Sequence, residues 1–294
     1  MMASSLEEPV AESAPLAREF ARRYCRRDPA TSTDCAWYHG FWQYMRVMNV
    51  AKTSGGHVTF LVEALRDLAR SERYRQVLVS GSADYSMPAH VLFAYQQDGA
   101  APNLHVLDRC ETPIALTRWY AARKGVPVNG YVSDILSFDC AQPFDAVLTN
   151  SFLGYFDLRG RKQLFACWAR LLRPGGKLIL TNRIRPGSGY DPVGFTPDQT
   201  RVFCETVRRE AEERRDALGI DSDEMVRLAA AYAAHFRSIP VRSAGEIVDL
   251  LRTSGFCVDR LDTALAVGRT GNGTVSGPST AERADYVRLI ATRE

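Results

Sequence analysis

Between Gln76 and Asn182 the chain reads strand, tight turn, helix, four times over, and its unusual polar residues cluster at strand ends. The strand pieces are Gln76-Val-Leu-Val-Ser80, Leu104-His-Val-Leu-Asp108, Gly130-Tyr-Val-Ser-Asp134, Phe144-Asp-Ala-Val-Leu-Thr-Asn150 and the run to Leu178-Ile-Leu-Thr-Asn182. Short apolar strands alternating with helical segments predict βαβ units, an α/β fold class and a parallel sheet. In such sheets a ligand binds outside the carboxyl ends of the strands. That rule directs attention to the turns that follow Ser80, Asp108, Asp134 and Asn150.

Composition excludes several classes. A chain of 294 residues with 46% hydrophobic and 24% charged residues fits a large globular domain with an elaborate cap. A net charge of +3 is too small to argue for nucleic acid or an anionic membrane. The arginine runs Arg22-Arg23 with Arg26-Arg27, and Arg208-Arg209 to Arg214-Arg215, read as solvated helix faces. The seven cysteines, Cys25, Cys35, Cys110, Cys140, Cys167, Cys204 and Cys257, show no CxxC or other metal-ligand spacing. The expectation is free thiols, no metal and a reducing, cytoplasmic setting. Neither a signal peptide nor an apolar run of roughly 20 residues is evident.

Residues 1–75 read as a helical cap and 76–294 as the ligand-binding domain. In the cap, Val58, Leu61, Val62, Leu65, Leu68 and Ala69 recur at helical spacing, and Gly55-Gly56 separates them from the aromatic segment Ala36–Arg46. An insertion of about 183–241 follows the fifth strand. Thr196-Pro-Asp-Gln199 is a helix start with a capping box, and a second helix begins after Asp221 with Met225, Leu228, Ala229, Tyr232 and Phe236 on one face. Ser243–Glu246 starts another helix, stopped by Gly255. Two last strands follow, from Phe256 and from Tyr286, with an exposed loop at 268–279 between them.

In their order these pieces, closing on Leu171-Leu-Arg-Pro-Gly-Gly-Lys-Leu-Ile-Leu180, resemble the class I S-adenosylmethionine-dependent methyltransferases. The resemblance is good from Gln76 to Asn182 and looser toward Glu294. It implies a Rossmann-like, seven-stranded, mostly parallel sheet with helices on both faces, and S-adenosylmethionine as ligand without a metal. It also implies a small-molecule acceptor, in specialised metabolism, with a homodimer possible and neither nucleic acid nor membrane as partner.

The resemblance carries expectations residue by residue. The first turn, Ser80-Gly-Ser-Ala-Asp-Tyr85, keeps one glycine, Gly81, of the family's three, and Val79 stands at the usual acidic position. Gly81, Ser82 and Ala83 are expected to approach the ligand, with Asp84 supplying the missing carboxylate for its ammonium group or else capping the next helix. Asp108 ends a buried strand, where a carboxylate can accept from both hydroxyls of a ribose; Arg109 follows it. Asp134 and the backbone of Ile135 match the adenine-binding positions. Asn150, Ser151 and Phe152 lie where the sulfonium centre is expected, Asn150 to accept from the substrate's amine or to hold an attacking atom and Phe152 to stack on adenine. Asp145, at a strand's beginning, reads as structural.

A sulfonium in a dry pocket is stabilised by aromatic faces. Tyr38, Tyr44 and Tyr190 are candidates for that role, with Arg46 as a carboxylate clamp. His39 is the best-placed base and His57 the second, while His90 and His105 read as core. The expected reaction is methyl transfer to a small molecule. Two rivals remain open. One is an enzyme of the same fold that cyclises S-adenosylmethionine to azetidine-2-carboxylate and methylthioadenosine, and the other a non-catalytic binding protein. A dinucleotide dehydrogenase is disfavoured because the turn lacks Gly-x-Gly-x-x-Gly.

Overall fold

Each apolar run of the sequence forms a strand in the computed structural model, which describes residues 6, 8–26, 34–50, 57–265 and 285–294. The strands are β1 (Gln76–Ser80), β2 (Asn103–Asp108), β3 (Val128–Val132), β4 (Phe144–Asn150), β5 (Leu172–Ile184), β6 (Phe256–Leu265) and β7 (Asp285–Arg293). They build one seven-stranded sheet in the order β3-β2-β1-β4-β5-β7-β6. β3, β2, β1, β4 and β5 run parallel, and β7 is antiparallel to both β5 and β6. The Rossmann-like reading of the sequence is therefore correct. Gly55-Gly56 and the loop at 268–279 lie outside the described residues.

Helices α4 (Ser86–Gln97), α5 (Glu111–Arg123) and α6 (Leu158–Leu171) follow β1, β2 and β4. The fourth expected helix, between β3 and β4, does not form. Residues 133–143 make turns only, and a stretch that short, ending in Pro143, has no length for a crossover helix. α5 also starts earlier than Thr112-Pro113 suggests. Its N-cap is Cys110, whose Sγ accepts from Thr112 N at 3.4 Å.

Successive strand residues point to opposite faces. Val77 and Val79 face one hydrophobic cluster, with Leu61, Leu65, Val91 and Ile114. Leu78 faces the other, with Leu164, Trp168, Ile247 and Leu251. Both faces are covered, which is why the strands read as continuous apolar runs. Trp168 Nε1 donates to Ser80 Oγ at 3.0 Å, tying α6 to β1. Asp145 is structural as expected: it accepts from the backbone N–H of Arg75 and Gln76 and from Arg173 Nε.

The N-terminal helices are α1 (Val10–Tyr24), α2 (Ala36–Val47) and α3 (Val58–Ala69), and the insertion holds α7 (Pro197–Glu213), α8 (Arg215–Leu218) and α9 (Ser222–His235), followed by α10 (Ala244–Thr253). The Thr196 capping box forms as read from the sequence, and Asp221 caps α9. Phe41, Tyr44 and Met45 of α2 pack with Phe203, Val207, Met225 and Tyr232 in a third cluster. Cap and insertion thus share one core, standing over the carboxyl ends of the strands.

One buried ion pair holds the insertion's return. Arg161, wholly buried on α6, donates through Nη1 to Glu246 Oε1 at 2.5 Å, through Nε to Leu153 O and through Nη2 to Ile239 O. Removing one partner of a buried pair strands the other charge and costs about 3–5 kcal/mol. Arg161→Ala should lower unfolding stability by about that amount in urea titrations, and Glu246→Gln, which keeps an acceptor, by less. A loss below about 0.5 kcal/mol for Arg161→Ala, as at an ordinary surface site, would show the contact to be dispensable.

Candidate functional site

Strand order reverses between β1 and β4, and the crevice outside such a switch point is where open α/β sheets bind ligands. A cavity of about 410 Å³ opens there, within the range of small-ligand sites. Its floor comes from the turns after β1, β2, β3 and β4. Gly81, Ser82, Ala83, Asp84, Asp108 and Arg109 line it, as do Asp134, Ile135, Asn150, Ser151 and Phe152. Every residue that the sequence placed on the ligand side of the sheet is brought to this one cavity.

Asp108 is the best-defined acceptor of the floor. Its Oδ2 accepts from Ser82 N at 3.1 Å and its Oδ1 from Cys110 N at 2.8 Å. Each oxygen keeps a lone pair for a further donor. Burial holds its carboxyl above the ordinary carboxylate range, opposed by the His39 charge and by those two backbone N–H groups. Gly81 has φ +71°, and a Cβ there would lie 2.5 Å from ring carbons of Phe152. The turn therefore needs glycine on two counts, backbone conformation and the ring packed upon it. Asp134 Oδ1 accepts from Leu136 N at 2.9 Å, so it shapes its own turn while lining the cavity.

Asn150 Oδ1 accepts from Thr181 Oγ1 at 2.6 Å, which orients the amide and leaves that oxygen a second lone pair beside the Nδ2 donors. Ser151 follows at φ 52°, a left-handed conformation rare outside glycine. It turns the chain sharply at the end of β4, so that Phe152 comes to lie over Gly81.

Several expectations change. Asp84 is not available for an ammonium group, because four donors already hold its carboxylate. Trp42 Nε1, Gln43 Nε2 and Arg46 Nη1 lie 2.8–2.9 Å from Oδ2, and Ser86 N lies 2.6 Å from Oδ1. Arg46, expected as a carboxylate clamp, is spent on Asp84 and Glu8. Tyr44 is buried in the core between α2 and α9 and does not line the cavity. Tyr190 lies at the surface, 38% exposed, under the Arg242 guanidinium. His57 sits away from the cavity and receives a bond from Arg288 Nε at 3.1 Å; burial pushes it down to about 4. His90 and His105 are core residues, as read.

The roof is aromatic. Tyr38 stacks on Trp42 with ring centres 5.4 Å apart and on Tyr232 at 6.1 Å. Tyr155, Phe195 and Phe236 line the same chamber. Tyr155, after β4, escaped the sequence reading, although its place beyond Asn150 marks the strand-end turn. Tyr232 was read only as one residue of a helix face. Burial holds the hydroxyls of Tyr38 and Tyr232 above their ordinary range. They stay protonated at neutral pH and can offer ring faces and hydrogen-bond donors to the cavity.

His39 is also placed otherwise than expected. Cys25, at the end of α1, Cys35, the N-cap of α2, and Cys110, the N-cap of α5, converge on it. Cys25 Sγ lies 3.5 Å from His39 Nδ1 and 3.6 Å from Cys110 Sγ, and the four side-chain atoms all lie within 4.8 Å of one another. Spacing along the chain hid this cluster, because Cys110 is remote in sequence. The one local signal was Cys35 and His39 at i, i+4, which puts both on one helix face. Bonds from Cys110 and Cys35 outweigh burial and hold His39 up at about 10, while the Cys110 thiol is depressed, chiefly through its contact with Cys25.

Residues 88–176 match the family model described as a methyltransferase domain. No curated protein sequence matches the chain significantly. Among solved structures, the chain is similar to magnesium protoporphyrin IX methyltransferase (ChlM) from Synechocystis PCC 6803 with bound SAH. Identity there is 13%, the TM-score 0.49, and coverage 87% of this chain and 94% of that one. It is also similar to the N-methyltransferase NodS from Bradyrhizobium japonicum WM9 (15% identity, TM-score 0.45, 79% and 86% covered). A third is the glycopeptide N-methyltransferase MtfA complexed with S-adenosyl-L-methionine (16% identity, TM-score 0.46, 79% and 94% covered). The resemblance seen in the sequence is borne out by the family match.

Two expected outcomes follow from the floor. Asp108→Ala should weaken S-adenosylmethionine binding by about 1.5–3 kcal/mol, roughly ten- to a hundredfold by calorimetry, in a variant that still melts cooperatively. Ribose hydroxyls favour the ionised carboxylate, so wild-type affinity should be full above the raised pKa and fall as pH drops through it. Asp108→Asn should lose that pH dependence. Gly81→Ala should bind weakly too, since relieving the clash moves Phe152; wild-type affinity in this variant would show that the turn relaxes without cost to the site.

Proposed function

We propose that this chain, whose residues 88–176 belong to the methyltransferase-domain family, transfers a methyl group from S-adenosylmethionine to a small, flat, largely apolar acceptor. The observation that carries the reading is the division of the cavity. A hydrogen-bond-accepting carboxylate, Asp108, and the turn at Gly81 form its floor, and stacked aromatic rings form its roof.

The residues fit the ligand. Asp108 offers a lone pair on each oxygen to a vicinal diol, and Gly81, without a Cβ, lets the Phe152 ring pack on the turn. When bound, S-adenosylmethionine supplies an electrophilic methyl on a sulfonium whose sulfur leaves with the bonding electron pair. The chain's own part is alignment and exclusion of water. Asn150 Oδ1, through its second lone pair, can accept from an N–H of an attacking amine and hold the nitrogen in line with its own lone pair free, and the rings of Tyr38, Trp42 and Tyr232 keep the chamber dry and offer faces to a cation. Since the chamber's tyrosines stay protonated and His39 is engaged with thiols, an acceptor that already carries a lone pair, such as an amine, suits this site best. Arg185, lowered by burial to about 10 yet still cationic at neutral pH, lines the cavity and favours an acceptor with an acidic group.

Identification of the nucleoside product tests the reading. Incubation with S-adenosylmethionine and a panel of aromatic amines should release adenosylhomocysteine in proportion to methylated acceptor. Methylthioadenosine and azetidine-2-carboxylate formed together without any acceptor, faster than in protein-free controls, would establish cyclisation instead. Failure to bind S-adenosylmethionine would overturn both. Asn150→Ala should reduce kcat at least tenfold with affinity for S-adenosylmethionine changed less than threefold, because alignment acts in the transition state. Tyr38→Phe should keep most activity and Tyr38→Leu lose it; equal rates in all three proteins would place the reacting centre elsewhere.

A further inference from the structure

Beside the cavity floor, three thiols and an imidazole meet from three separate elements. Cys25 closes α1, Cys35 and His39 occupy the first turn of α2, and Cys110 caps α5. A tetrahedral zinc ion with Zn–S of about 2.3 Å and Zn–N of about 2.0–2.1 Å sets S···S near roughly 3.8 Å and S···N near roughly 3.6 Å. Here Cys25 Sγ lies 3.6 Å from Cys110 Sγ and 3.5 Å from His39 Nδ1, with all four atoms inside 4.8 Å. The sulfurs are too far apart for a disulfide, whose S–S bond is about 2.05 Å. They are also too numerous for a thiol–imidazole pair.

The surroundings suit thiolates. Thr112 N points at Cys110 Sγ from 3.4 Å, and Thr112 Oγ1 lies 3.4 Å from Cys25 Sγ. Such donors orient metal-bound sulfur and spread its charge. His39 and Cys110 are buried, each 7% exposed, and Cys25 and Cys35 are half-buried. The other four cysteines, Cys140, Cys167, Cys204 and Cys257, are scattered elsewhere and form no comparable group among the described residues.

We propose that Cys25, Cys35, His39 and Cys110 bind one zinc ion in a closed, tetrahedral Cys3His site. Sulfur and imidazole donors in this geometry select zinc over hard cations. Four protein ligands leave no open position for water, so the ion is structural. It fastens α1 and α2 to the turn after β2, two residues beyond Asp108. The site thereby couples the cap to the cavity floor, and binding the ion releases the protons that the metal-free thiols and imidazole carry. The inference stands on this cluster alone and does not rest on the proposed methyl transfer.

Metal content of the full chain tests it directly. After purification under reducing conditions and exhaustive dialysis, elemental analysis should find about one zinc per chain. Protein produced in cobalt-supplemented medium should show the intense visible d–d bands and the near-ultraviolet thiolate-to-cobalt charge transfer of a tetrahedral sulfur-rich site. Cys110→Ser should lose both signals, and Cys257→Ser, at an exposed thiol on β6, should keep them. If Cys110→Ser fails to fold, the cobalt spectrum of the unaltered chain still decides. Removal of the ion with a strong chelator should lower the melting temperature and be reversed by added zinc. Wild-type protein with less than about 0.2 metal ions per chain and no cobalt spectrum would overturn the proposal. A Cys25–Cys110 disulfide in metal-free purified protein, seen by peptide mapping, would overturn it as well.

Discussion

The carboxylate of Asp84 holds the two halves of the molecule together. It sits in the turn after β1, 2% exposed, and its Oδ2 receives Trp42, Gln43 and Arg46, all from α2. Arg46 in turn pairs with Glu8, just before α1, and lies over the Tyr85 ring. A buried charge without partners is very costly, whereas one met by several donors is held firmly. Position and orientation of α2 are thereby tied to the sheet. Because α2 also shares a core with α7 and α9, the same contact places the insertion.

That arrangement explains the division of labour in the cavity. Polar groups come from strand ends, where the sheet's rigidity sets their positions. Tyr38, Trp42 and Tyr232 come from helices held over the cavity by the Asp84 contact and the α2–α9 core. Asp108 links the two sets. It holds the first turn through Ser82 and the start of α5 through Cys110. Cys110 in turn meets Cys25, next to α2's own Cys35 and His39. A disturbance of the cap is therefore felt at the floor, through either carboxylate or through the thiol cluster.

Much of the floor was legible because it follows from chain-local rules. A buried parallel strand must be apolar, so a polar residue at its carboxyl end stands out, and Asp108 and Asn150 were found that way. Gly81 was found because a tight turn demands glycine. The capping box at Thr196 and the cap at Asp221 were read correctly for the same reason, since both partners lie within a few residues. The helix missing between β3 and β4 shows the limit of pattern: alternation suggested a helix where the connection has no length for one. Tyr44 and Tyr190 show another, since a tyrosine's chemistry is visible in sequence while the direction in which its helix or loop turns is not.

Side-chain partners across long separations were decided by the tertiary structure alone. Asp84 stood open in the sequence between a ligand carboxylate and a helix cap, yet only packing gave it Arg46, Trp42 and Gln43 as donors and withdrew it from the ligand. The cysteines showed no metal-like spacing because Cys25 and Cys110 stand 85 residues apart. The sequence by itself determined the α/β class, the parallel core of the sheet and the polar residues at its ligand edge, because burial and turn geometry act between near neighbours in the chain. The roof of the cavity, the closing of the thiol cluster and the reassignment of Asp84, Arg46 and His39 came only with folding, because each depends on contacts whose partners no local pattern can specify.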